Sequence, residues 1–105
     1  MPEPCLELVV FKVKDTARAR IARRAAHEVV KHYEGFLSWS ALEASVEPNL
    51  FADIVLWRDL DCAKAAAARI AKDPGFSGLM AEIDGLLTMA HYETDRTVEA
   101  FAEAA

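Results

Sequence analysis

Two hydrophobic periodicities follow one another along this chain in the order strand, helix, strand, strand, helix, strand, and that order narrows the possible folds more than any single residue does. An apolar run at Leu6–Val13 leads into a helical pattern. The helix starts at Asp15 or Thr16, either of which can accept a hydrogen bond from the first free N–H groups, and stops before Gly35. Phe36–Val46 and Leu50–Trp57 read as strands, and Glu47-Pro48-Asn49 between them has the φ restriction and turn tolerance of a hairpin loop. A second, Ala-rich helix begins after Asp59 or Asp61 and sets Leu60, Ala63, Ala66, Ala67, Ile70 and Ala71 on one side. Its small residues let the axis lie close to a sheet. Asp73-Pro74-Gly75 ends it, Phe76–Ile83 adds one or two short turns, and Leu86–Tyr92 is the last strand. The tail Thr94–Ala105 is expected to be a short helix or frayed, with Val98 and Phe101 suited to docking. The expectation is one ferredoxin-like α+β domain over residues 1–105 with an antiparallel sheet.

Two helices cover only one face of four strands, so the other face needs a second sheet. In Leu50–Trp57 one face is wholly apolar (Leu50, Ala52, Ile54, Leu56) and the other mixed (Phe51, Asp53, Val55, Trp57), which implies burial on both sides. In a chain of 105 residues that predicts a homodimer built sheet on sheet. The formal net charge of −5 argues against a phosphate-binding surface, hence no nucleic acid partner. No apolar run has membrane-spanning length, and Met1-Pro2-Glu3-Pro4 lacks a signal-peptide pattern, so no membrane contact and a cytoplasmic location are expected. Cys5 and Cys62 form neither a CxxC pair nor a disulfide framework, which suits a reducing compartment.

Candidate functional residues follow from position on these elements. On the first helix Ile21, Ala22, Ala25, Ala26, Val29 and Tyr33 share a stripe, which leaves Arg20, Arg23, Arg24, His27 and Lys31 on a solvated face and His32 at the stripe's inward edge. On the second strand Leu37, Trp39 and Ala41 oppose Phe36, Ser38 and Ser40, and Trp39 reads as core or interface. Asp53, a carboxylate inside Phe-Ala-Asp-Ile-Val-Leu-Trp, must be paired or must face a cavity: either a general base or the partner of a helix arginine, for which Arg18 is best placed. His91, with Leu87 and Met89 on its face, is either an acid–base group or a core histidine. Trp57 is either a pocket wall or core, and Phe51, Met89, His32 and Tyr33 are the other candidates for the pocket lining. Cys62, in the first turn of the second helix, is expected to have a slightly lowered pKa without a base to activate it. His27 and His32 point about 140° apart on a helix, so no metal site is expected.

With Tyr33-Glu34-Gly35-Phe36-Leu37-Ser38-Trp39, Asp53-Ile54-Val55-Leu56-Trp57, the Asp61–Ala71 helix, Asp73-Pro74-Gly75-Phe76 and His91-Tyr92, the chain resembles the antibiotic biosynthesis monooxygenase family over about residues 5–93. The resemblance implies a dimeric α-β barrel and, among the activities of that superfamily, oxidation of quinols or polyketides without a cofactor. Quinol-oxidising members use a Trp near the end of the third strand and an Asn upstream on the same face; Trp57 matches the first, and Asp53 stands in the second place. An Asp there cannot donate the amide hydrogen bond but can accept a phenolic proton. Heme-degrading relatives need an Asn on the first strand, a Trp in the second helix and a His after it, where this chain has Phe11 or Lys12, Ala65–Ala68 and Met80. The resemblance therefore implies a cofactor-free monooxygenase for a small aromatic, quinol or polyketide-like ligand, with Asp53 and His91 catalytic. The alternatives are a non-catalytic dimeric ligand-binding or stress-associated protein and, behind it, a heme-binding or heme-degrading one.

Overall fold

The computed structural model describes residues 4–102. The start of the chain, read as lacking a leader, and the end of the tail lie partly outside those residues. Within them the order is β1 (Cys5–Val13), α1 (Thr16–Val30), β2 (Phe36–Glu43), β3 (Leu50–Trp57), α2 (Leu60–Ile70), a 3₁₀ turn (Pro74–Phe76), α3 (Ser77–Glu82) and β4 (Ile83–Tyr92). All pairings are antiparallel and the strand order is β2-β3-β1-β4, the ferredoxin-like arrangement expected.

Local chemistry sets the element ends. The Asp15 carboxylate accepts from Arg18 N at 2.8 Å to open α1, and Asp59 does the same for α2 from Cys62 N at 2.8 Å. Asn49, at φ 60°, closes the β2–β3 loop, and Ala44 N donates to Leu50 O at 2.8 Å, so β2 ends at Glu43 rather than Val46. Gly35 has φ +79°, and a Cβ there would stand 2.5 Å from Cys62 Sγ, which is why glycine carries the chain from α1 into β2. β4 begins at Ile83, before the expected Leu86: Gly85, at φ +138°, lets Asp84-Gly85 continue an irregular strand instead of turning. The tail from Thr94 through Phe101 has no regular secondary structure, and Val98 and Phe101 are exposed.

The core lies between the helices and the sheet face made by Cys5, Phe11 and Val13 of β1 and Phe51, Val55 and Trp57 of β3. Two expectations about this face are corrected. A register shift between Phe36 and Ser38 breaks strict alternation in β2, so Phe36 faces the core with Trp39 and packs edge-on against Trp57 at 5.6 Å. The buried stripe of α1 is Ala19, Arg23, Ala26 and Val30, turned about a quarter of a revolution from the predicted one at 100° per residue. Ile21 is consequently 67% exposed and Arg23 3% exposed. The small side chains of Ala19 and Ala26 bring α1 close to the sheet, and the buried Asp53 beneath it takes Arg23 as its counter-ion.

On the opposite face, Leu6, Leu8 and Val10 of β1 and Leu50, Ala52, Ile54 and Leu56 of β3 are only partly covered. No helix among the described residues is long and apolar enough to cross a membrane.

Candidate functional site

A cavity of about 380 Å³ lies between the helical face of the sheet and the segment that runs from α2 to β4. Its walls are apolar: Val9, Phe11, Val55, Trp57, Phe76, Leu79, Met80, Ile83, Leu86 and Met89 among them. Few polar side chains reach it, namely Glu7, Asp53 and the indole of Trp39, and this combination of apolar walls with sparse polar groups is the usual make-up of a small-molecule site.

Asp53 is held from one side. Arg23 Nε and Nη2 donate to the same oxygen, Oδ1, at 2.9 and 2.6 Å, and Nη2 also faces the carbonyls of Leu42 and Ala52 at 3.0 and 2.9 Å. The guanidinium lies over the Phe51 ring, 4.3 Å from its centroid. No hydrogen bond to Oδ2 forms among the described residues, so this oxygen is uncommitted on a residue that lines the cavity. Burial holds the Asp53 carboxyl above the ordinary aspartate value, against the opposing pull of Arg23.

Trp39 stacks on Phe76 at 6.3 Å, and His27 meets its indole edge-on at 4.3 Å. Trp39 Nε1 and His27 Nε2 are buried with no hydrogen-bond partner among the described residues, and burial lowers the His27 pKa. Trp57 is committed elsewhere: its Nε1 donates to Glu7 Oε1 at 3.1 Å. His91 Nε2 is 3.4 Å from the same oxygen, an ion pair whenever the imidazole is protonated.

Several sequence expectations change here. The arginine that pairs with Asp53 is Arg23, not Arg18, which binds Glu82 at 2.9 Å. Arg23 and His27, read as solvated, face inward, whereas His32, read as inward, is exposed. Phe51 packs against Phe11 and under Arg23 as core and is not a cavity wall. Tyr33 also lies outside the cavity; its hydroxyl donates to Asp73 Oδ2 at 2.6 Å and burial pushes its pKa up to about 12. Burial raises the Cys62 thiol pKa rather than lowering it, despite Arg58 Nη2 at 3.1 Å. Trp57, Asp53 and Met89 do line the cavity. His91 lies on their sheet face but pairs with Glu7, while Asp53 pairs with Val9, so β1 separates the two by two strand spacings, about 10 Å. Among the described residues no three His, Cys, Asp or Glu side chains are grouped to hold a metal. Arg23 and Trp39 are the residues sequence reasoning missed. An arginine in register with Ala19, Ala26 and Val30, opposite an inward aspartate, was the available signal.

No protein-family model matches the sequence, and no curated protein does. Solved structures do. SnoaB, a cofactor-independent oxygenase from Streptomyces nogalater, superposes with a TM-score of 0.77 at 18% identity, covering 93% of this chain and 99% of SnoaB. A Bordetella bronchiseptica protein provisionally named an antibiotic biosynthesis monooxygenase gives 0.74 at 11% identity, covering 88% of this chain and 97% of its own. A Caulobacter crescentus protein with the same provisional name gives 0.72 at 13% identity, covering 90% and 92%. At these identities the likeness is one of architecture: the chain has the ferredoxin-like α+β fold of the antibiotic biosynthesis monooxygenase-like proteins.

Proposed function

We propose that this chain is a cofactor-independent monooxygenase for an electron-rich hydroxylated aromatic, a phenol, quinol or polyketide-like ring, held in the cavity between sheet and helices. The observation that carries the reading is a buried carboxylate with one free oxygen in a largely apolar cavity, on a fold shared with a cofactor-independent oxygenase. Asp53 Oδ2 takes the phenolic proton, and the raised carboxyl pKa brings its proton affinity closer to that of the phenol. The phenolate passes one electron to O₂; the radical pair combines to a C–O bond, and the ring hydroperoxide loses water to leave a quinone. For 1-naphthol the sum is C₁₀H₈O + O₂ → C₁₀H₆O₂ + H₂O, so one oxygen atom enters the product and one leaves as water. Trp57 offers a flat wall for the ring, fixed by its bond to Glu7, and His91 Nε2 stands 3.4 Å from the same Glu7 oxygen without a hydrogen bond to it.

The test is oxygen uptake with mono- and bicyclic phenols and quinols, followed by mass spectrometry of the product formed under ¹⁸O₂. Uptake of one O₂ per quinone, with one labelled atom retained, is the expected result. No uptake above the protein-free blank across the series would overturn the reading.

We also infer a homodimer across the outer sheet face, where seven apolar side chains of β1 and β3 are only partly covered. Sedimentation at micromolar concentration is expected to give about twice the 11.6 kDa chain mass, and Ile54→Lys to shift it toward the monomer. A wild-type monomer would sink the inference.

A further inference from the structure

The structure assigns to Trp39, rather than Trp57, the hydrogen bond that receives the ligand's hydroxyl oxygen: we propose that one ring hydroxyl sits between Trp39 and Asp53, accepting from the indole Nε1–H and donating to the carboxylate. This rests on the reading of the cavity as an aromatic site and adds to it the group that the site recognises.

The argument is one of unmet hydrogen-bonding capacity. Of the chain's two tryptophans, Trp57 has its N–H engaged by Glu7 at 3.1 Å. Trp39 Nε1 is buried and bonded to nothing among the described residues, which native interiors rarely tolerate. Across the β2–β3 ladder Trp39 pairs with Val55 and Ala41 with Asp53, so Trp39 and Asp53 are diagonal neighbours on the cavity face, about 7 Å apart and within reach of an aromatic side chain. The indole N–H is directed at the Asp53 carboxylate closely enough to favour its ionised form, but the contact falls short of hydrogen-bond geometry and leaves Nε1 without a partner among the described residues. Asp53 in turn has Oδ1 taken by Arg23 and Oδ2 free.

A free donor and a free acceptor that flank one point in an apolar cavity are satisfied together by a single group that both accepts and donates. A hydroxyl does this; an ether oxygen only accepts, and a bare ring does neither. When the proton moves to Asp53, the Trp39 N–H remains on the oxyanion left behind. The rest of the cavity lining, Phe76 and Met89 included, is largely apolar and suits a fused ring. The site thus selects hydroxyarenes over their methyl ethers.

Anaerobic calorimetric titration with 1-naphthol and 1-methoxynaphthalene tests this on wild type, Trp39→Phe and Trp57→Phe. Wild type is expected to bind the naphthol about tenfold more tightly than the ether, in line with one buried hydrogen-bonded group. Trp39→Phe should erase that preference while keeping the ether's affinity, whereas Trp57→Phe, which alters a wall of the cavity but not the donor, should weaken both compounds alike and leave their ratio unchanged. A ¹H–¹⁵N spectrum of the unmutated protein gives a second readout that does not depend on folding of a variant. Of its two indole cross-peaks, the one retained in Trp57→Phe should move on adding naphthol and much less on adding the ether. Equal affinities in wild type, an unmoved Trp39 peak or a preference that survives Trp39→Phe would overturn the assignment, and with oxygen uptake intact the proposed activity would stand without it. Failure of both compounds to bind would overturn both readings.

Discussion

Replacing Arg23 with alanine is expected to remove about 3–5 kcal/mol of folding stability near neutral pH, because it leaves Asp53 charged, buried and unpaired. In a domain whose total stability is typically about 5–15 kcal/mol, that is a large share. The side chains of the pair are 4% and 7% exposed, so solvent screens little of the loss. The pH dependence has a definite sign. Folding raises the Asp53 pKa, so the charged carboxyl costs stability as pH rises from the ordinary aspartate value through the raised one, and costs nothing below both. Without Arg23, which pulls that pKa down, the folded value climbs further and the cost extends to higher pH. The deficit of Arg23→Ala relative to wild type should therefore shrink as pH falls toward about 4. Joint replacement, Arg23→Met with Asp53→Leu, should recover most of the loss, since the guanidinium already lies against the Phe11 and Phe51 rings where an apolar chain packs equally well. Urea unfolding followed by tryptophan fluorescence between pH 4.5 and 8 measures all three. A deficit below about 1 kcal/mol, the range of exposed pairs, or one that does not change with pH, would show that the pair is not the desolvated one described here.

The same pair shows where sequence reading succeeds and where it stops. Strand β3 was legible to the residue, because Leu50–Trp57 is apolar on one face, carries its one charge on the other, and is bounded by Pro48-Asn49 and Arg58-Asp59. The order of elements followed from periodicity alone, and with it the topology. Side-chain direction on α1 did not follow. Its apolar residues offer two overlapping stripes, one through Ile21, Ala25 and Val29 and one through Ala19, Ala26 and Val30, and hydropathy favours the first because it scores Arg23 as a surface residue. What decides between them is a tertiary fact, the carboxylate of Asp53 on the facing strand. Rotating the helix to satisfy it brings His27 to Trp39 and sends His32 to the surface, so one misjudged residue displaced both histidines. Phe36 was misplaced for a different reason: a strand bulge shifts alternation by one, and nothing in Gly35-Phe36-Leu37-Ser38 announces it. Asp53 was recognisable as a site residue because a charge in the middle of an apolar strand always demands an explanation, while Trp39 was not, since an indole in a strand is ordinary packing until its N–H is found without a partner.

Asp53→Asn is the substitution on which the proposed chemistry turns, and it is expected to lower turnover of a hydroxyarene by about two to four orders of magnitude, the usual worth of a positioned general base. In wild type, kcat/KM should rise with pH as Asp53 ionises, with an inflection above the ordinary aspartate value because burial raises its pKa. In the Asn variant that inflection should vanish, whereas His91→Gln, on the far side of β1 and paired with Glu7, should leave it in place. Asparagine keeps the size of the side chain and an acceptor oxygen for Arg23, so loss of the base is separable from collapse of the site by near-UV circular dichroism and by retained affinity for 1-methoxynaphthalene. The experiment discriminates by sign. The family resemblance places an asparagine here in quinol-oxidising proteins, so a site that works only by hydrogen-bonding its substrate would hold or gain activity on becoming Asn. A site that takes a proton onto Asp53 can only lose it. Retained turnover with a flat pH profile would remove Asp53 as the base and leave positioning by Arg23 and Trp39 as the basis of any activity in this cavity.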